Sequence, residues 1–215
     1  MYKKLIAELI GTFILVFAIT GAVTIDQVTK GAIGHVGIAV SVGLALMVII
    51  FAIGNISGAH VNPAVSISMA IAKKLAWKDL APYIIAQIAG AFLATCVLKF
   101  LFPESASLGT TIPSGSDMQS VIMEVILTFL LVTSILAATA NPNNSIMIPA
   151  IAIGGTLGLD AMFGGPISGA SMNPALSLAP SVVTGNMSHL WVYIVGPIIG
   201  GILAVVVRSV ISTKE

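Results

Sequence analysis

The chain has 215 residues, of which 57% are hydrophobic and only 8% are charged, with a formal net charge of +1. A soluble domain of this size could not bury so much apolar surface, so the composition indicates a protein that lies in lipid. The near-neutral charge argues against nucleic acid as a partner, and the single cysteine excludes an intrachain disulfide.

Six apolar segments are each about long enough to cross a bilayer as a helix. In chain order we predict them at Leu5–Val23, Val36–Ile53, Leu80–Phe102, Ser120–Ala138, Ile146–Phe163 and Leu190–Val210. The first follows Lys3 and Lys4 as a signal peptide would, but no small-residue cleavage site follows a short core. We therefore expect it to be retained as the first span.

The distribution of lysine and arginine predicts the orientation of these spans. If the N-terminus is inside, the inner side carries seven basic residues and the outer side carries two, Lys30 and Lys99. The seven are Lys3, Lys4, Lys73, Lys74, Lys78, Arg208 and Lys214. Because basic residues are enriched in short cytoplasmic loops, we expect both termini to be cytoplasmic.

A motif of eleven residues occurs twice, once in each half of the chain. Residues 56–66 read ISGAHVNPAVS and residues 167–177 read ISGASMNPALS, with eight positions identical. Asn is a favoured N-cap and Pro a favoured first helical residue, so a helix is predicted to begin after each Asn. The apolar run that follows is only about ten residues long, too short to span a bilayer. The motifs therefore predict two half-helices that start at Asn62, Pro63, Ala64 and at Asn173, Pro174, Ala175.

The similarity between the two halves extends into the spans. Residues 8–13 read ELIGTF, and residues 124–129 read EVILTF. We therefore divide a single domain, residues 1–215, into a first repeat of about residues 1–102 and a second of about residues 118–211. Three spans in each repeat make the second inverted relative to the first, an arrangement that places binding sites near the bilayer midplane. The predicted fold class is an all-α membrane protein with six transmembrane helices and two re-entrant half-helices.

Several polar residues would then lie inside the membrane. The convergent half-helix N-termini would repel cations, while the amides of Asn62 and Asn173 would donate to water or a hydroxyl solute. Glu8 and Glu124 either relay protons or brace the re-entrant loops by accepting backbone N–H groups, and their symmetric placement favours bracing. His60 either faces the pore or braces its loop, and bracing is favoured because the second repeat has serine there.

These features resemble the aquaporins of the major intrinsic protein family over the whole chain. The two Asn-Pro-Ala motifs, each with Ser-Gly-Ala upstream, and the glutamates of the first and fourth spans carry the resemblance. It implies a passive channel in the lipid bilayer for water or small uncharged solutes, assembled as a homotetramer. No nucleophile–base set or metal-ligand cluster is evident in the sequence, so we expect no enzyme activity, no cofactor and no metal.

The same resemblance implies a selectivity filter toward the outer mouth, made of Val42, Ala161, Ala170 and Leu176. Leu176 stands where most family members have arginine. An apolar filter of this kind is expected to be wide and to suit glycerol, urea or undissociated boric, arsenous or silicic acid. Residues 34–40 and 56–60 are also similar to the nodulin-26-like, metalloid-permeable branch, so the aquaglyceroporin and nodulin-26-like types are the nearest in kind.

Asp160 lies in the predicted fifth span beside Ala161. It either pairs with local backbone or caps the outer helix end, or it faces the mouth and adds a negative charge there. In the second case, a leak of cations or ammonium is expected. Three further alternatives stay open: a water-only channel, an ion-coupled secondary transporter and a closed, adhesive relative.

Overall fold

The structure is a computed structural model in which residues 1–141 and 143–211 are described. The chain in this part forms eight α-helices. In chain order they are α1 (Tyr2–Val28), α2 (Gly34–Ser57), α3 (Pro63–Ile71), α4 (Trp77–Leu101), α5 (Asp117–Ala138), α6 (Met147–Ser168), α7 (Pro174–Thr184) and α8 (Val192–Ile211).

The six predicted spans are confirmed as α1, α2, α4, α5, α6 and α8, each long and apolar enough to cross a membrane. Several extend beyond the predicted bounds: α1 reaches Val28 rather than Val23, and α2 reaches Ser57 rather than Ile53. The difference arises because hydropathy marks only the hydrocarbon core, whereas backbone hydrogen bonding continues into the interface. The two half-helices are also confirmed, with nine residues in α3 and eleven in α7.

Before each half-helix, one glycine turns the chain back into the molecule. Helix α2 ends at Gly58 with φ 91°, and α6 ends at Gly169 with φ 85°. Glycine adopts this left-handed conformation without the steric cost that a side chain would add. The glycine of each repeated motif therefore makes the turn, and the asparagine four residues later begins the half-helix.

Glycines also let the long helices approach one another closely. Gly90 of α4 packs on the backbone of α1, and the repeat-related Gly200 of α8 packs on the backbone of α5. Between the repeats, a Cβ added to Gly43 of α2 would lie 2.9 Å from the carbonyl oxygen of Gly154 in α6. Small residues permit such contacts where lipid offers no hydrophobic driving force between helices.

Candidate pore

The two motif asparagines cap the half-helices. Asn62 Oδ1 accepts the Ala64 N–H at 2.8 Å, and Asn173 Oδ1 accepts the Ala175 N–H at 3.0 Å. In each repeat a longer contact, of 3.4 and 3.5 Å respectively, reaches the next residue. The proline that follows each asparagine occupies the first helical position, where no N–H donor is required.

Each asparagine amide also reaches across to the opposite repeat. Asn62 Nδ2 donates to the Met172 carbonyl at 2.7 Å, and Asn173 Nδ2 donates to the Val61 carbonyl at 2.9 Å. Among the described residues each Nδ2 makes this one bond, although an amide has two N–H groups. The second N–H of each asparagine therefore has no hydrogen-bond partner among the described residues.

The re-entrant loops hold non-glycine residues in left-handed backbone conformations. Ala59 and Val61 have φ 48° and 44°, and the repeat-related Ala170 and Met172 have φ 47° and 53°. Each such residue costs about 1–3 kcal/mol, and a β-branched residue such as Val61 is a genuine outlier. The same conformations recur in both loops, and they aim the Val61 and Met172 carbonyls at the opposite asparagines.

Glu8 supplies partners for the backbone of the first loop. Its Oε1 accepts the His60 N–H at 3.0 Å, and its Oε2 accepts the Val61 N–H at 2.7 Å and Gln87 Nε2 at 2.8 Å. The carboxylate is completely buried. It thus supplies acceptors for loop N–H groups that have no helical partner.

Glu124 makes the equivalent contacts in the second loop. Its Oε1 accepts the Ser171 N–H at 2.9 Å and Ser168 Oγ at 2.7 Å, while its Oε2 accepts the Met172 N–H at 2.6 Å. It is also completely buried. Both glutamates therefore contact the loops that carry the asparagines.

His60 both contacts its own loop and lies beside the cavity, so the structure shows features of the two alternatives that the sequence left open. Its backbone N–H donates to Glu8, and its Nδ1 lies 3.1 Å from Ser66 Oγ at the start of α3. The ring packs against Tyr83, with the ring centroids 5.3 Å apart. His60 is thus bonded within the first loop, and it also borders the cavity described next.

A cavity of about 390 Å³ passes the junction of the two half-helices. Its polar lining near the junction comes from Asn62, Asn173, His60 and Ser171. Most other lining side chains are aliphatic: Leu15, Ile19, Leu46, Ile50, Val65, Met69, Leu131, Ile135, Ile153 and Leu157. Since aliphatic side chains offer no hydrogen bonds, the side-chain donors along the lining occur in two places, at the junction and at the end bordered by Lys74 and Thr139.

Three of the four predicted filter residues border this cavity: Val42, Ala170 and Leu176. Ala161 does not border it and is 6% exposed. Leu157, one turn earlier in α6, does border the cavity, and Ala161 is rotated from it by about 40°. The structure thus brings three of the four residues together around one passage.

Asp160 is completely buried in α6 and is not among the residues that border the cavity. Neither carboxylate oxygen has a hydrogen-bond partner within residues 1–141 and 143–211. The repeat-related position, thirteen residues before the motif asparagine, is Ile49 of α2, which is also buried. Asp160 is therefore a polar residue at a position that the first repeat fills with an aliphatic side chain.

A contact at one end of the cavity was missed by the sequence analysis. Lys74 follows α3 and Thr139 follows α5, and both border the cavity. Lys74 Nζ donates to Thr139 Oγ1 at 2.9 Å and to the Thr139 carbonyl at 3.2 Å. The sequence marked Lys74 only as an inner-side basic residue, since no local pattern signals a contact between residues 65 positions apart.

The fold and the site together define a membrane channel. Six spans surround two half-helices whose N-termini meet beside a cavity, an arrangement that supplies a passage and a polar site within it. The chain matches the profile of the Major intrinsic protein family over residues 1–208, and it belongs to this family. Members of the family are channels and not enzymes.

Individual relatives agree with this assignment. The chain is 42% identical to Aquaporin NIP1-1 of Zea mays over 202 residues, which cover 93% of this chain and 71% of that protein. It is 42% identical to a probable aquaporin of NIP type from Nicotiana alata, covering 99% of this chain and 79% of that protein. The X-ray structure of the aquaglyceroporin from Plasmodium falciparum has the same fold, with a TM-score of 0.88, 24% identity, and coverage of 98% and 96%.

Proposed function

We propose that the protein is a passive channel for small neutral solutes such as glycerol, urea and undissociated metalloid acids, with water as a further permeant. The observation that carries this proposal is the apolar lining by Val42, Ala170 and Leu176 of a cavity that passes two amide donors. Leu176 supplies neither charge nor donor at this end, so a solute with an apolar face is favoured there. The NIP aquaporins and the aquaglyceroporin among the similar proteins fit the same reading.

The junction of the half-helices selects by hydrogen bonding and by charge. A solute oxygen accepts the second N–H of Asn62 or Asn173, whose other N–H is held by the opposite loop. The partial positive charges of two helix N-termini oppose a cation at the same point. In this proposal Ala161, which does not itself border the cavity, backs the filter one turn beyond Leu157, while Glu8 and Glu124 brace the loops that hold the two asparagines.

The filter is tested by Leu176→Arg, with Leu176→Met as a control of similar volume. We expect Leu176→Arg to lower glycerol and boric acid entry by about tenfold while water flow persists, because a long cationic side chain narrows an apolar passage. Light scattering of liposomes that contain the purified protein measures all three fluxes. Fast water flow without glycerol entry in the wild type would instead favour a water-only channel, and saturable, ion-driven flux would favour a transporter.

We also propose that the chain assembles as a homotetramer with both termini cytoplasmic. The outer surface of the bundle is apolar, with Leu44 of α2 and Leu159 of α6 53% and 61% exposed, and it must contact lipid or other copies. Light scattering of the detergent-solubilised protein should give four times the chain mass of 22.0 kDa. A mass of one chain, after correction for detergent, would contradict the tetramer.

A further inference from the structure

One charged side chain, that of Lys74, borders the cavity, and it follows the C-terminal end of α3 rather than lying among the predicted filter residues. Among the lining residues in the described part of the chain, Lys74 and His60 are the two basic residues, and Lys74 is the one whose side-chain type is charged at neutral pH. Leu176 leaves its own end of the cavity without a cation. Lys74 lies at the end where α3 and α5 terminate, which we call the inner end.

A tight turn fixes the position of Lys74. Helix α3 ends at its C-cap Ala72, and Lys73 then adopts a left-handed conformation with φ 60°. The N–H groups of Lys74 and Leu75 both donate to the Met69 carbonyl, at 2.8 and 3.1 Å. The turn therefore closes the end of the half-helix and leaves the Lys74 side chain to extend toward α5.

Thr139 receives this side chain at the C-terminus of α5. Thr139 is the C-cap residue, and its hydroxyl donates to the Ile135 carbonyl at 2.7 Å, so the hydroxyl oxygen is available to accept from Lys74 Nζ. The C-terminus of a helix carries partial negative charge and favours a cation. The ammonium is thereby anchored across the inner opening of the cavity.

We propose that Lys74 is a specificity-determining residue whose ammonium group, anchored on Thr139, excludes cations at the inner end of the pore. The inference rests on the proposed function as a channel for neutral solutes. A cation at this opening meets the positive charge of Lys74, which is exposed at the end of the cavity and bonded twice to Thr139, and is repelled by it. A neutral solute meets no such barrier. Lys74 thus supplies the positive charge that Leu176 does not supply at the filter.

The inner charge and the half-helix N-termini act as separate barriers. The nine residues of α3 span about 14 Å between the Asn62 end and the Lys74 end. At this separation the two charges interact more weakly than charges in contact, because the Coulomb energy falls with distance. Removing the Lys74 charge is therefore expected to lower one barrier and leave the barrier at the Asn-Pro-Ala junction in place.

The test compares Lys74→Met with Lys74→Arg and with Lys73→Met in the full-length protein. Ammonium current in planar bilayers and glycerol flux in liposomes are measured on the same preparations. Lys74→Met should raise the ratio of ammonium current to glycerol flux by about tenfold, which corresponds to about 1.4 kcal/mol in barrier height. Lys74→Arg and Lys73→Met should keep the wild-type ratio, because the first retains the charge and the second alters a lysine outside the cavity lining.

Three results would overturn the proposal. The ratio could stay unchanged in Lys74→Met, it could rise equally in Lys73→Met, or ammonium and glycerol could rise by the same factor, as for removal of a steric plug. Failure of the proposed function would be visible separately, as wild-type glycerol flux no higher than that of empty vesicles.

A pH profile gives a second readout of the same charge. Burial, and then repulsion by Arg208, lower the pKa of Lys74 below the ordinary lysine value. Raising the pH at the inner end removes this proton earlier than from a solvated lysine, so wild-type sodium current should increase in the alkaline range. It should stay flat in Lys74→Arg, since guanidinium remains charged. His60 and Arg208 are present in both proteins, so an equal rise in both would contradict the role of Lys74.

Discussion

Asn62 and Asn173 each make several contacts with one side chain at the junction of the half-helices. In each, the amide oxygen caps a half-helix and one N–H bonds to the opposite loop, and in the proposed channel the second N–H donates to a solute. All three tasks use one rigid amide group, so its orientation is fixed by the cap and the cross-loop bond together. Asp160 is the opposite case, a buried carboxylate with no hydrogen-bond partner among the described residues.

Replacing Asp160 by Asn should stabilise the protein by about 1–3 kcal/mol, because burying an unpartnered carboxylate costs more than burying an amide. Thermal unfolding in detergent measures the effect, with Asp79→Asn near the start of α4 as the control. Ammonium current should stay at the wild-type level, since Asp160 does not border the cavity. A loss of stability would reveal a partner for the carboxylate, and a changed current would place it at the mouth.

The re-entrant loops are elements whose shape depends on groups from other helices. Their left-handed residues carry strain that no local hydrogen-bond ladder offsets. Each glutamate, Glu8 on α1 and Glu124 on α5, accepts two loop N–H groups: that of the second left-handed residue and that of the residue just before it. Each half-helix is therefore positioned by the long helix that opens its own repeat.

Glu8→Gln should destabilise the protein by about 1–3 kcal/mol. The glutamine NH₂ group is a donor, so one backbone N–H that now bonds to a Glu8 oxygen would face another donor and lose its acceptor. The variant should also lower glycerol flux, since the first loop carries Asn62. The matched control is Glu104→Gln, which alters an exposed glutamate between α4 and α5. Unfolding temperature and liposome flux are measured together; wild-type values for both would show that Glu8 does not brace the loop.

The passage is a property of the whole molecule, because both halves of the chain contribute to it. Each copy of the repeated motif begins one half-helix, and the positive N-termini of the two half-helices meet at the junction. The Lys74–Thr139 contact then joins the first repeat to the second at the inner end. The proposed orientation places this contact on the cytoplasmic side.

Cysteine labelling in a Cys96→Ser background tests the orientation. Glu104→Cys, between α4 and α5, should react with a membrane-impermeant maleimide in intact cells. Asn143→Cys, between α5 and α6, should react only after the membrane is opened, because an odd number of spans separates the two loops. The reverse pattern would mean that both termini lie outside.

The sequence by itself determined the elements and their order. Six runs of apolar residues were long enough to span, and Asn62-Pro63 and Asn173-Pro174 carried local capping signals for the half-helices. These predictions succeeded because helix length and capping depend on neighbouring residues. The precise ends of α1 and α2 were less well predicted, because helical hydrogen bonds continue past the apolar run.

Only the tertiary structure decided which groups meet. The carbonyls bonded by Asn62 and Asn173 lie 110 and 112 positions away, and the partner of Lys74 lies 65 away. It also decided that Leu157 borders the cavity while Ala161 does not. Such outcomes depend on how each helix is rotated and on how closely its glycines let it pack, which are set by contacts between distant segments.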